Sequence, residues 1–252
     1  ADLKLRLNFT AAKVNNKVTR LTEDSDVITS GIRVIEVGKE IYTYYMSKSA
    51  GVDPATGAQL YWVYDKDDDG NITKEYISDD YQKAANSKYY LGSRIPKLYG
   101  SIGAEISYKG LDLSVLTTYS IGGKIYESLY NGAMNTMYNG DTWHKHQLRR
   151  WQKPGDITDV PRVVQNPAYA TNDRSLIDAS YFAIKNITLG YTIPQKLLKK
   201  IDISSLRIFT TFDNFLLFSH LTGMDPQFNF SGSTDYTYSP SKTISIGIDI
   251  HF

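Results

Sequence analysis

The chain has 252 residues, with 28 Lys and Arg against 27 Asp and Glu, so no charge excess argues for nucleic acid as a partner. Cysteine is absent, which excludes a disulfide framework and thiolate or Cys-based metal chemistry. Aromatic residues make up 13% of the chain, and Tyr (20) outnumbers Phe (9) and Trp (3), a bias that suits water–lipid boundaries and sugar-facing surfaces.

No apolar run approaches the ~20 residues that a membrane helix needs. That limit leaves open a β-barrel, whose strands require only ~9–11 alternating residues. Leu3, Leu5, Leu7, Phe9 and Ala11 alternate with Lys4, Arg6, Asn8, Thr10 and Ala12, which predicts a strand with one apolar and one charged face. No signal peptide is visible within the sequence, and the expectation is a piece of a longer chain cut upstream. Asn15-Asn16-Lys17 reads as a turn, and residues 41–49, opening I-Y-T-Y-Y-M, as a further strand.

Residues 51–86 form an irregular excursion. Within it Asp65, Asp67, Asp69 and Gly70 match the start of a calcium loop, with oxygens at positions one, three and five and then a turn Gly. Position twelve is Tyr76 where a bidentate Glu is required, with Glu75 one residue early, so calcium competes with a plain acidic hairpin tip. Two clean strands follow. Leu98, Ile102, Ala104, Ile106 and Tyr108 share a face, Lys109-Gly110 turns the chain, and Leu111, Leu113, Val115, Thr117 and Tyr119 share the next.

Residues 122–180 lack sustained alternation and hold Trp143, His144, His146 and Trp151. A loop this long is unusual in a compact soluble domain and expected on the outer side of a barrel. A strand at 181–193 ends at Pro194. Another carries Leu206, Ile208, Phe212, Leu216 and Phe218 opposite Arg207, Thr211 and Asp213, with Asn214 interrupting the apolar face. After a loop at 219–242, Ile244, Ile246, Ile248, Ile250 and Phe252 alternate with Thr243, Ser245, Gly247, Asp249 and His251. Parity predicts about seven strands, with short turns at 15–17, 109–110 and 195–205 on one side and long loops at 51–96, 122–180 and 219–242 on the other.

Several segments together resemble the C-terminal part of the SusC/RagA family, TonB-dependent transporters of Bacteroidetes outer membranes. They are Ile95-Pro96-Lys97-Leu98-Tyr99-Gly100, Tyr108-Lys109-Gly110-Leu111-Asp112-Leu113-Ser114, Gly122-Gly123-Lys124-Ile125-Tyr126, Trp151 with Pro154-Gly155-Asp156, and Ile184-Lys185-Asn186-Ile187-Thr188-Leu189-Gly190-Tyr191. Asp213-Asn214-Phe215, Gly223-Met224-Asp225-Pro226 and the final Phe252 fit as well. The resemblance implies an all-β fold: an antiparallel transmembrane β-barrel segment, about the last seven strands of a 22-stranded barrel, with long extracellular loops. Residues 1–252 would be the C-terminal part of the barrel, the plug and the N-terminal strands lying outside this chain. It implies uptake of oligosaccharides or peptides across the outer membrane of a Gram-negative bacterium. It also implies a SusD-like surface lipoprotein lid, the TonB-ExbB-ExbD complex, outer-membrane lipid around the wall, and a dimer of transporter–lid pairs.

The chemistry-bearing residues read as follows. Trp62, Trp143 and Trp151, with Tyr61, Tyr64, Tyr130 and Tyr138, lie in predicted outer loops, where rings stack on a sugar, meet the lid, or pack on one another. Tyr119, Tyr126 and Tyr191 read as interface anchors. Lys4, Arg6, Glu105, Asp112, Arg207, Asp213 and Asp249 should line the lumen. His144 and His146 lack a third ligand, Asp79-Asp80 reads as solvated charge, and no Ser-His-Asp arrangement is legible. A transporter is therefore expected, not an enzyme. The alternative is a soluble all-β carbohydrate-binding module, which would bury the apolar faces between two sheets. An outer-membrane hydrolase is a third reading, without a placed nucleophile or base.

Overall fold

The computed structural model describes residues 3–22, 25–135, 140, 142–164, 170–199, 202–220, 223–227, 233 and 238–252. In chain order the elements are β1 (Leu3–Ala12), β2 (Val27–Ser30), β3 (Arg33–Glu36), β4 (Thr43–Val52), β5 (Gln59–Lys66), β6 (Ile72–Ser78), α1 (Tyr81–Asn86), β7 (Lys88–Ser93), β8 (Leu98–Tyr108) and β9 (Leu111–Ile121). There follow β10 (Lys124–Tyr126), α2 (Ser128–Ala133), β11 (Leu176–Asp178), β12 (Tyr181–Thr192), α3 (Gln195–Leu198), β13 (Ser205–Ser219) and β14 (Thr243–His251).

Six strands, in the order β1-β8-β9-β12-β13-β14, make one antiparallel sheet, the wall. Register keeps the apolar rows together. Leu5 pairs with Ile106 and Ile106 with Leu113, while Tyr191 pairs with Ile208 and Ile208 with Ile248. Partners in register share a face, so one side of the wall is apolar from edge to edge. It is also uncovered: Leu7 and Phe9 are each 69% exposed and Ile246 is 79% exposed. A sandwich module would bury these rows against a second sheet, so the soluble alternative does not fit.

The apolar band has aromatic rims. Tyr108 and Tyr191 stand at the short-turn end, where Tyr108 pairs with Leu111 and Leu111 with Tyr191. Phe9, Tyr119, Phe182 and Phe218 stand at the other, with Phe9 stacked on Tyr119 at 6.2 Å and Phe182 against Phe218 at 6.4 Å. Leu111 to Tyr119 is eight steps along β9, roughly 27 Å at ~3.4 Å per residue. At a ~40° tilt that is about 20 Å of height, close to the ~25 Å band of outer-membrane barrels.

The wall has six described strands rather than about seven. Ala12 pairs with Tyr99, so residues 13–97 leave and return at the same end of adjacent antiparallel strands and cannot cross the wall. The segment expected to cross, 41–49, contributes to β4 of a separate sheet, and residues 15–17 lie at the long-loop end. Burial distinguishes the two kinds of strand. A wall strand alternates greasy and wet, whereas Thr43, Tyr44, Met46 and Ser47 are buried on both faces of β4. The remaining parity holds: 109–110 and 193–204 are short connections at one end, and the connections 13–97, 122–180 and 220–242 emerge at the other.

Asn214 interrupts the apolar face for a local reason. It marks a bulge, with φ of +51°, where the β12–β13 register shifts between Ile184 and Asn186. The β9–β12 register shifts at the same place. The extra residue, Lys185, returns Ile184 and Phe182 to the face of Ile187, Leu189 and Tyr191.

The long connections fold into a cap. Its main sheet runs β2-β3-β4-β5-β6, with β7 also paired to β4, and β10 pairs with β11. Two small cores hold it. Tyr61, Val63, Ala84 and Ala170 form one, and Tyr44, Met46 and Tyr126 form the other, with Leu91 and Leu176 packed beside it. Each joins residues of the first connection to residues of the second. Tyr126, expected as an interface anchor, is therefore a cap core residue.

Candidate functional site in the outer loops

The first and second connections are stitched by hydrogen bonds as well as packing. The Tyr44 hydroxyl donates to the Lys124 carbonyl at 3.0 Å. The Ser49 amide donates to Asp173 Oδ1 at 2.8 Å, and Arg174 Nη1 to Gln59 Oε1 at 3.1 Å. Buried Arg94 reaches the third connection, donating to the Pro226 carbonyl at 2.6 Å. Burial pushes the Tyr44 phenol up to about 12 and lowers the Arg94 guanidinium below its usual range.

Between the first two connections lies a cavity of about 570 Å³. Tyr61, Tyr130, Gln147, Asp159, Arg162 and Arg174 border it. That volume is within the range of small-molecule sites. Gln147 sits on the 3-10 turn Lys145–Arg149, buried, and its Nε2 donates to the Met134 carbonyl at 2.5 Å. Its Oε1 is buried and has no donor. Asp159, at the rim, is held by Arg149 at 3.0 Å.

The three tryptophans do not converge on this cavity. Trp151 clamps the loop at 53–57: its Nε1 donates to the Pro54 carbonyl at 2.9 Å, and a Cβ on Gly57 would meet its ring at 2.5 Å. Trp62 lies on β5 with the Lys48 ammonium 5.3 Å from its ring centre, and Trp143 stands 37% exposed. Tyr64 packs edge-on against Tyr89 at 5.4 Å. Of the loop tyrosines, Tyr61 and Tyr130 border the cavity, and Tyr138 lies outside the described residues.

Asp65, Asp67 and Asp69 occupy the β5–β6 hairpin tip. Asp67 accepts from the Asp69 amide at 3.1 Å and the Asn71 amide at 2.8 Å, contacts that hold its carboxyl below the usual range. Asp65 accepts from the Tyr76 hydroxyl at 3.1 Å. Among the described residues no three His, Cys, Asp or Glu side chains gather as a metal cluster. The Asp80 carboxylate caps α1, accepting from the amides of Gln82 and Lys83. His144 Nδ1 accepts from the His146 amide at 3.2 Å, and His146 Nδ1 faces the Tyr130 hydroxyl at 2.9 Å.

The polar face of the wall carries all seven residues expected there. Arg6 meets Glu105 at 3.5 Å, and Asn186 Nδ2 donates to Asp213 Oδ1 at 2.7 Å. Lys4 pairs in register with Ser107. Arg207 bridges Asp112 at 2.6 Å and Asp249 at 3.3 Å. Sequence reasoning missed Phe209 on this face. Its ring lies where a Cβ on Gly247 would be and 4.8 Å from the Arg207 guanidinium carbon.

No family model matches the chain. It is 23% identical over 273 residues to TonB-dependent receptor P3 of Formosa agariphila, covering 97% of this chain and 26% of that protein. To TonB-dependent receptor P26 of the same organism it is 26% identical over 176 residues, 64% of this chain and 18% of the relative. The chain thus spans about a quarter or less of the curated relatives it matches. Among solved structures, the RagAB peptide importer in its closed-closed state aligns with a TM-score of 0.84 and 24% identity, covering 99% of this chain and 27% of that chain. The RagAB peptide transporter aligns at 0.83 and 25% identity with the same coverage. These relatives are receptors and transporters, not enzymes.

Proposed function

Taking the chain as a segment of a SusC/RagA-type TonB-dependent transporter, we propose that it forms the C-terminal part of an outer-membrane barrel that imports oligosaccharides or peptides. The observation that carries this reading is the wall: one uncovered apolar face with aromatic rims, one polar face, and three long connections at a single end. In hydrocarbon the free edges at β1 and β14 are not viable, so further strands pair with both. Those strands, the plug and the TonB-contacting segment belong to the rest of the protein.

The cap faces outward in this arrangement, where incoming nutrient and a SusD-like lipoprotein meet it. Trp62 and Trp143, neither of them a clamp, are loop aromatics available to a ligand or to the lid. The lumen-facing charges line the route inward.

The test is a clean deletion of the full gene in its host, followed by outer-membrane fractionation and uptake of labelled oligosaccharides and short peptides. Loss of uptake of one class, restored by the intact gene, is expected. A protein that fractionates with soluble proteins, or a deletion that leaves uptake of both classes unchanged, overturns the proposal.

A further inference from the structure

The cavity between the first two outer connections has more donor capacity than its neighbours consume. Arg174 is half-buried on its wall, and its burial lowers the guanidinium pKa. Among the described residues its side chain makes one hydrogen bond, Nη1 to Gln59 Oε1 at 3.1 Å, out of five N–H groups. No carboxylate lies within ion-pairing distance of it among the described residues. The acid whose charge acts on it, Asp159, is engaged by Arg149 at 3.0 Å. Arg162 borders the same cavity and spends Nη1 on the Thr56 carbonyl at 3.0 Å, again with no acid partner. Asn131 borders it too, its Oδ1 accepting from the Ser175 hydroxyl at 3.1 Å, which leaves its amide N–H groups uncommitted.

A guanidinium withdrawn from water without a counter-charge is destabilising, and it persists where an anion completes it. Arginine presents a planar fork that matches a carboxylate with two parallel bonds. Half-buried Tyr130 beside it offers ring surface for the body that carries the anion. Asp79 at the cavity border supplies a place for a hydroxyl or ammonium donor on the same ligand.

We propose that this cavity binds the carboxylate-bearing end of an oligomer, with Arg174 as the anchoring cation and Arg162 beside it. The inference rests on the importer reading and adds to it a ligand chemistry. The carboxylate has two possible sources, the C-terminus of a short peptide or a uronic acid unit of an oligosaccharide. About 570 Å³ holds one end of such a chain and leaves the rest to surfaces outside this cap.

The experiment uses the full-length transporter purified in detergent. Binding is measured for two matched pairs: tetra-alanine against its C-terminal amide, and trigalacturonate against its methyl ester. One acid should bind about ten- to a hundredfold tighter than its neutral partner, the range expected for hydrogen bonds to a charged group. Which pair discriminates identifies the source. Arg174→Gln should bring the discriminating pair to within about twofold, and Arg174→Lys should restore part of the preference. Phenylglyoxal labelling of the unmodified protein, read by peptide mass, needs no variant to fold: the acid should protect Arg174 and the neutral partner should not. Equal binding within both pairs, retained preference in a folded Arg174→Gln, or labelling indifferent to ligand each overturns the proposal. Uptake by intact cells separates the two readings. Import that ignores the acid leaves the transporter standing and removes this site, whereas acid-selective binding without any import does the reverse.

Discussion

Arg207 reaches over Gly190 to grip Asp112 with two parallel bonds, Nη2 to Oδ2 at 2.6 Å and Nε to Oδ1 at 3.0 Å. The two charges stand on strands that do not touch, β13 and β9, with β12 between them. The fork closes because Gly190 offers no side chain: a Cβ there would lie 2.6 Å from both Arg207 Nη2 and Asp112 Oδ1. Gly190→Ala therefore expels the fork and should act as an ion-pair deletion. Both charges are about one-third exposed, so the loss should be near 1 kcal/mol, as for Asp112→Asn. Because each change removes the same contact, the double variant should fall short of the sum of the two. Unfolding of the full-length barrel in detergent, followed by its heat-modifiable gel mobility, measures all three. Strict additivity would refute the shared contact.

Trp151 and Gly57 form the clearest clamp in the cap. Gly57 has φ of +73°, where a side chain is strained, and its missing Cβ makes room for the indole. Gly57→Ala meets both obstacles and should weaken the loop by about 1–3 kcal/mol. Trp151→Phe keeps a ring but loses the bond to Pro54, about 1 kcal/mol. Limited proteolysis of the folded transporter should show faster cleavage within the cap for Gly57→Ala and Trp151→Ala, with the barrel's gel mobility unchanged. If Trp151→Ala instead lowers ligand binding while the cleavage pattern stays as in the parent, the indole is a contact residue and the clamp is secondary.

The wall was legible because its pattern is local. Alternation in Leu3–Ala12, Leu98–Tyr108, Leu111–Ile121 and Thr243–His251 announces strand, face and turn without knowledge of any neighbour. The cap was not, because its strands are buried on both faces or short, and their partners are distant in sequence. Tyr126 looked like a rim residue until β10 paired with β11 and carried it against Tyr44 and Met46. The bulge at Lys185 hid in the same way: a phase slip in one strand looks like a broken pattern until it is set against the unbroken β9 beside it. Arg174 carried no motif. Its importance comes from what does not surround it, which a sequence does not display.

Tyr44 should make cap stability fall at high pH. Its phenol is pushed from an ordinary 10.0 to about 12, mainly by burial, with nearby Arg94 and Arg33 opposing. A raised folded-state value means that the folded cap holds this proton after the unfolded chain has released it. The contribution is complete below pH 10 and is lost as pH rises toward 12. Tyr44→Phe should make that alkaline limb shallower, the raised phenols of Tyr89 and Tyr90 in the same cap supplying the rest. At neutral pH it should also lose about 1 kcal/mol with the bond to the Lys124 carbonyl. Protease susceptibility of the cap between pH 9 and 12, in parent and variant, checks the sign. An alkaline limb as steep in Tyr44→Phe as in the parent would assign it to the other tyrosines.

The acid side has its own sensor in His144. Burial lowers its pKa first, and the neighbouring His146, Lys145 and Arg149 lower it further. Its Nδ1 must be unprotonated to accept from the His146 amide at 3.2 Å, and the two rings meet edge-on at 4.3 Å. A depressed folded-state value means that the unfolded chain binds the proton first as pH falls. Stability supplied by neutral His144 is therefore complete above pH 6.5 and is lost as pH drops through its lowered value. The turn it caps carries Gln147, so the wall of the cavity should loosen with it. Cleavage near residues 144–149 should accelerate between pH 7 and pH 5 in the parent protein. His144→Asn retains a side-chain oxygen able to cap the turn and has no proton to gain, so it should cleave at the same rate across that interval. Acceleration that persists in His144→Asn would place the sensor elsewhere.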